Sequence, residues 1–421
     1  MIHSLKTCQF WGCIVKYLVN NIRGGGIIIS LPLEGIKILD LSRYLPGPFC
    51  TQILADFGAE VIKVEDPKGG DLGRSLTPLI EGESARFYTV NRNKKSITLD
   101  LKKDAGKEVF KKLVTQADVI IDQFRPGVMK KMGLDYDNLK KINPGIIYCA
   151  ITGYGLTGPL RDVAGHDLNY LNLSGVTGLT GTYKGMPAMS GVQIADIAGG
   201  TLYSAIAILL ALASRDKNGQ GQLCDVAMMD CSISLLAYTL GEWAGWGRLP
   251  EMGNDVLTGG YACYNIYETK DGKYVSLGAV EDKFWAEFCD KIDRAEYIKP
   301  QWNTSLQQDI LADVRAIMLT KTRDEWVEFF AQSDICFTPV LTLEEMCDYP
   351  QVIARDMILK IYNVRGTGRD VPLTGVSVKL SGTPGEAKLT FPELGEHTDQ
   401  VLNQAGYSNE DIANLRENGV V

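Results

Sequence analysis

From about residue 33 onward, short apolar runs alternate with segments whose apolar positions recur every three or four residues. GIKILDLS (35–42) is a β-rich run, and PGPFCTQILADFGAEVIKVE after it has helical and then strand character, with Gly58 suited to cap the helix. SITLDL (96–101) predicts a strand. DAGKEVFKKLVTQA puts Val109, Phe110 and Leu113 on one helical face, and ADVIIDQF and GIIYCAIT predict two more strands. Strands alternating with helices imply an open, mostly parallel sheet covered on both faces.

IADIAGGTLYSAIAILLALASR (194–215) predicts a long, nearly all-apolar helix buried in the core, and QLCDVAMM returns to strand. From about residue 245 the texture changes. YACYNIYETKDGKYVSLGAV predicts a hairpin turning at Lys270-Asp271-Gly272, followed by helices at 282–292, 308–319 and 323–332. The expected organisation is an N-terminal extension over 1–32, a large α/β domain over 33–230, and a linker with a smaller α+β domain over 231–355. A C-terminal segment, 356–421, carries Leu380, Leu389 and a helix from about His397, and is expected to return to the large domain.

Composition narrows the class. The 421 residues carry a formal net charge of −8, which argues against a nucleic-acid partner but allows a local basic patch for a small phosphorylated ligand. Ten cysteines show no C-x-x-C and no metal-ligand spacing, and Cys149, Cys224 and Cys289 sit in apolar surroundings. Scattered thiols of this kind fit a reducing cytoplasm, without a metal site. No uninterrupted apolar run reaches the ~18 residues of a membrane span, and CQFWGCIVKYLV, broken by Lys16, lacks the cleavage site of a signal peptide.

Candidate chemistry starts from scarcity. Of three histidines, His3 and His397 lie near the ends, and only His166, in AGHDLNY, is central. A group that titrates near neutrality suits acid–base work, although a lone histidine is equally a structural residue. Asp196 interrupts an apolar stretch, so it must cap a helix, be paired, or stay protonated in a dry site. Glu281 ends the strand YVSLGAVE, where it can cap a helix or orient an imidazole. GYGLTG (153–158) matches G-x-G-x-x-G, yet Pro159 follows and no helix opens at the third glycine, which argues against a dinucleotide site. NRNKK (91–95) and Arg125 supply basic residues at strand ends, where a phosphate-bearing ligand can be held.

Several long motifs then converge. LPLEGIKILDLSRYLPGPFCTQILADFGAEVIKVEDP, NRNKKSITLDLK, DVIIDQFRPGVMKKMGLDY, ITGYGLTGP and PELGEHTDQVL, in this order from Leu33 to near the C-terminus, resemble the family III CoA-transferases. AGHDLNYLNLSGV, with VSLGAVEDKFW, resembles the α-methylacyl-CoA racemase branch of that family.

The resemblance implies a Rossmann-like large domain with a parallel sheet, a smaller α+β domain and an interlocked homodimer. It also implies an acyl-CoA substrate and no further cofactor, with CoA entering only as part of the substrate. His166 and Asp196 would act on opposite faces of the α-carbon, Glu281 would hold the imidazole and Asp167 would support it. Lys63, Arg92, Lys95, Arg125, Gly153 and Tyr170 are the expected CoA contacts, with Gly153 and Gly155 letting backbone approach the thioester. Asp66-Pro67 stands where related chains can carry an arginine for the CoA phosphates, so that contact must come from elsewhere. The expected reaction is inversion of a 2-methylacyl-CoA. The alternative is transfer of CoA between carboxylic acids through an Asp196 anhydride and thioester, which needs neither the His-Asp pair nor Glu281.

Overall fold

A computed structural model describes residues 30–421, so the N-terminal extension falls outside the described residues except for its last three. Six parallel strands form the main sheet: β1 (Lys37–Asp40), β2 (Glu60–Glu65), β3 (Lys94–Thr98), β4 (Val119–Asp122), β5 (Ile147–Thr152) and β6 (Leu223–Ala227). Their order across the sheet is β3-β2-β1-β4-β5-β6. The winding reverses between β1 and β4, and open α/β sheets bind ligands outside the carboxyl ends of the strands at that switch.

Strand β3 starts two residues before the predicted SITLDL. Lys94 and Lys95 read as loop residues, but the Lys94 side chain is buried among polar partners and so extends the strand inward.

One sheet face is covered by α1 (Pro46–Asp56) and the other by α2 (Asp104–Val114), with Phe110, Val109 and Leu113 buried as the periodicity requires. Gly58 follows α1 at φ +103, a backbone region that glycine enters without strain. Two C-terminal helices pack on this sheet. Helices α10 (Thr398–Gln404) and α11 (Asn409–Glu417) bury Val401, Leu402 and Ile412 in the core that contains β3. Leu380 and Leu389, expected to assist, are exposed.

The apolar stretch 194–215 departs from expectation. It opens with a π-helical turn, Ala195–Leu202, and continues as α4 (Tyr203–Asn218). One face, including Ala205, Ile208 and Ala211, packs on the sheet, while Ile206, Leu209 and Leu210 are exposed. Its apolar composition thus comes from two faces, of which a single chain covers one. Residues Ala195–Asn218 are long and apolar enough to cross a membrane by length and composition, yet the inner face is that of a sheet-covering helix.

Beyond α5 (Met228–Ser234) and α6 (Ala237–Trp246), the predicted hairpin forms as β7 (Tyr264–Glu268) and β8 (Tyr274–Gly278). It joins β9 (Phe337–Pro339) in a three-stranded antiparallel sheet. Helices α7 (Asp282–Lys291), α8 (Gln307–Met318) and α9 (Arg323–Phe329) pack on it around a separate core that includes Trp285, Phe288 and Trp326.

Candidate functional site

The carboxyl ends of β1, β4 and β5 open into a cleft of about 1170 Å³. Its walls come from the loops after those strands, at Arg43–Pro46, Gln123–Pro126 and Ile151–Tyr154, which places it at the topological switch. His166 and Asp196 both line it.

His166 precedes α3 (Asp167–Ser174) as an exposed N-cap residue. Its backbone N–H donates to Asn169 Oδ1 at 3.0 Å, which closes the turn. Asp196 sits in the first turn of the π-helical segment, where its backbone N–H donates to Asp167 Oδ1 at 3.0 Å. Small residues bring that segment close: a Cβ on Gly200 would lie 2.7 Å from the Pro46 side chain, and one on Gly199 2.8 Å from the Met228 carbonyl. π-turns are rare and concentrate at functional positions.

Among the described residues, no cation compensates Asp196. Burial first, and the like charge of Asp167 second, push its carboxyl up to about 7. A carboxyl group in that range both holds and releases a proton near neutrality, the property a proton-transfer group requires.

The structure brings only part of the predicted set together. Arg125, Gly153 and Tyr170 line the cleft with His166 and Asp196, and Asp167 contacts Asp196 from behind. Gly153 also has a packing reason to be glycine. A Cβ there would fall 2.4 Å from the Tyr170 ring, so the missing side chain makes room for that ring, which is buried. Gly155 donates its N–H to Thr152 Oγ1.

Three predicted cations are engaged elsewhere. Lys63 is fully buried, paired to Asp71 at 2.8 Å and donating to the Ser42 carbonyl. Arg92 makes a buried bidentate pair with Asp56, at 2.9 and 2.6 Å. Lys95 pairs with Glu60 at 2.6 Å, near the amino end of β2 and away from the cleft. Arg92 and Lys95 cluster in NRNKK beside a strand end and Lys63 was expected from the resemblance; inside the fold, their partners are carboxylates on neighbouring elements. Glu281, an exposed residue at the start of α7, does not line the cleft of its own chain.

The cleft instead carries three arginines beyond the predicted Arg125: Arg43, Arg86 and Arg161. Arg43 stacks over the Phe124 ring at 5.1 Å and also lines an adjoining slot with Lys102 and Asp100, so the basic character that Asp66 lacks comes from the loop after β1. The signal for Arg43 was its place in LSRYLPGP, directly after the first strand of an α/β sheet. Tyr44 beside it has φ +64, costly for a non-glycine residue, and its N–H is tied to Asp71 Oδ1.

Comparison with known proteins places this geometry. The profile of CoA-transferase family III matches residues 33–398. The beta subunit of a succinyl-CoA–L-malate CoA-transferase from Chloroflexus aurantiacus is 35% identical, with 94% of this chain and all of that protein covered. A mouse α-methylacyl-CoA racemase is 33% identical, with 92% and 97% covered. The crystal structure of a CAIB/BAIF family protein from Brucella suis superposes with a TM-score of 0.78 at 32% identity, over 89% of this chain and all of that one.

Proposed function

The chain belongs to CoA-transferase family III, whose members are enzymes, and from that premise we propose that it inverts the α-carbon of 2-methylacyl-CoA thioesters. The observation that carries the reading is Asp196. It lines the cleft with His166, has no cation beside it among the described residues, and is raised to about 7. A carboxylate kept as a nucleophile works ionised, whereas a proton donor and acceptor works best when both forms are populated.

The α-proton of a thioester is far less acidic than any side chain, so the site must stabilise an enolate and hold a base close to carbon. In one direction ionised Asp196 removes the proton and protonated His166 delivers another to the opposite face; in the reverse direction the roles exchange. The first turn of α3 presents backbone N–H groups that the helix itself cannot satisfy, beside His166, and these suit the developing oxyanion. Arg43, Arg86, Arg125 and Arg161 supply positive charge for the phosphates of CoA.

Glu281 enters through a second copy of the chain. The outer faces of α4 and α6 leave Ile206, Leu210, Tyr238, Trp243 and Trp246 exposed, large apolar side chains of the kind an interface covers. An interlocked homodimer that covers it would bring Glu281 of one copy toward His166 of the other.

Transfer of CoA remains the second reading, since relatives named as CoA-transferases match a similar length at 35% and 33% identity, against 33% and 31% for the racemases, and Asp196 is available as nucleophile. Deuterium incorporation at the α-carbon of (R)- and (S)-2-methylacyl-CoA in D₂O separates the two. Exchange and inversion without any acceptor acid, falling by about 10³-fold or more in Asp196→Asn and His166→Ala, is the expected result. No exchange, with CoA passing to an added carboxylic acid and lost only in Asp196→Asn, makes the protein a transferase.

A further inference from the structure

Tyr170 occupies a slot that the sequence has cleared on two sides. Its ring lies where a Cβ on Gly153 would come within 2.4 Å and one on Gly165 within 2.6 Å. Tyr154 closes the slot edge-on, with ring centroids 5.1 Å apart at 82°. The Tyr170 hydroxyl donates to the carbonyl oxygen of Gly165, the residue immediately before His166. On the other side of that peptide, the His166 N–H is held by Asn169 Oδ1. Both backbone groups that flank the Gly165–His166 bond are therefore anchored by side chains from the first turn of α3.

We infer that Tyr170 is a positioning residue for His166: its wedged ring and its hydroxyl fix the turn that carries the imidazole, and so set its reach to one face of the substrate. The inference rests on the racemase reading above and adds a residue to it. Burial first, and the Asp196 charge second, push the Tyr170 hydroxyl up to about 12, so it stays a donor through the working pH range. Asp196 is held by a different set of contacts, through Asp167 and the packing of Gly199 and Gly200. Asp167 belongs to the same turn as His166, but Gly199 and Gly200 seat the Asp196 segment independently of it, so loosening Tyr170 disturbs His166 far more than Asp196.

That asymmetry gives a readout that a general structural role does not move. Tyr170→Phe keeps the ring and removes only the bond to Gly165. Solvent deuterium exchange is followed separately for the two stereoisomers, the one whose exchange is lost in His166→Ala and the one whose exchange is lost in Asp196→Asn. Tyr170→Phe is expected to slow the His166-dependent exchange, and inversion with it, by about 10- to 100-fold. The Asp196-dependent exchange stays within about twofold and KM within about threefold. Asn169→Ala, at an exposed position that leaves the core intact, is expected to show the same one-sided loss if Tyr170→Phe does not fold.

Equal loss on both isomers, a change confined to KM, or unaltered rates in both variants overturns the inference while the racemase reading stands. A wild-type enzyme without α-proton exchange overturns the racemase reading, and the positioning role falls with it.

Discussion

Two clusters of charge lie at the carboxyl ends of the same sheet, and they treat their carboxylates in opposite ways. Under the loops after β1 and β2, Asp40, Lys63, Glu65, Asp71, Arg74 and Lys94 are buried with every charge opposed. Burial alone would raise Asp40, but Lys63, Lys94 and hydrogen bonds from Ser42 and Thr51 outweigh it and hold the carboxyl down at about 2. Glu65 and Asp71 are likewise lowered against their burial, by Arg74 and Lys63 respectively. In the cleft, Asp196 meets the like charge of Asp167, with no cation opposed to it among the described residues, and is raised to about 7. Neutralised carboxylates lock a loop in place; an uncompensated one keeps its proton exchangeable. The first cluster serves the second, because Asp71 also holds the strained Tyr44 at the cleft wall and Gly73 beyond it.

The largest effect that tests this contrast is expected from the paired side. Lys63→Met leaves the buried carboxylates of Asp71 and Asp40 short of a cation, and should cost about 3–5 kcal/mol in urea unfolding at pH 7. A loss below about 1 kcal/mol would mean that the cluster does not hold the fold.

A smaller effect, opposite in sign, is expected from the unpaired side. The folded state binds the Asp196 proton more tightly than the unfolded chain does, so ionising it opposes folding. That penalty is absent below the ordinary carboxylate range, grows as pH climbs toward 7, and is complete above it. Asp196→Asn escapes it, and should be more stable than wild type by at least about 1 kcal/mol at pH 8 with almost no difference at pH 4. Equal stability at both pH values would place Asp196 among compensated groups.

The finest test concerns Asp167. Its carboxylate is the second cause of the raised Asp196, after burial, so Asp167→Asn should move the pH–rate limb that reports Asp196 to lower pH by less than about one unit. Asparagine keeps the Oδ1 that accepts from the Asp196 N–H, so a limb that stays in place or moves to higher pH would show that the Asp167 charge does not raise Asp196.

The sequence by itself determined the succession of elements. The core strands, the hairpin at Lys270–Gly272 and the terminal helix near His397 were legible because burying one face of a strand or helix imposes a period on neighbouring residues. His166 and Asp196 were legible as outliers, a rare imidazole and a charge within an apolar stretch, and they do share one cleft.

What tertiary structure alone decided was the meaning of each charge and each glycine. Lys63, Arg92 and Lys95 read as phosphate ligands until their partners, Asp71, Asp56 and Glu60, came beside them from other parts of the chain. Gly153 read as room for a ligand, and is also room for Tyr170. Arg43, which the residue pattern did not single out, reaches the cleft because the winding of the sheet turns there. Periodicity is local, since it follows from consecutive residues sharing a surface. Ion pairing and close approach depend on distances between residues far apart in the chain, and only the folded chain sets those.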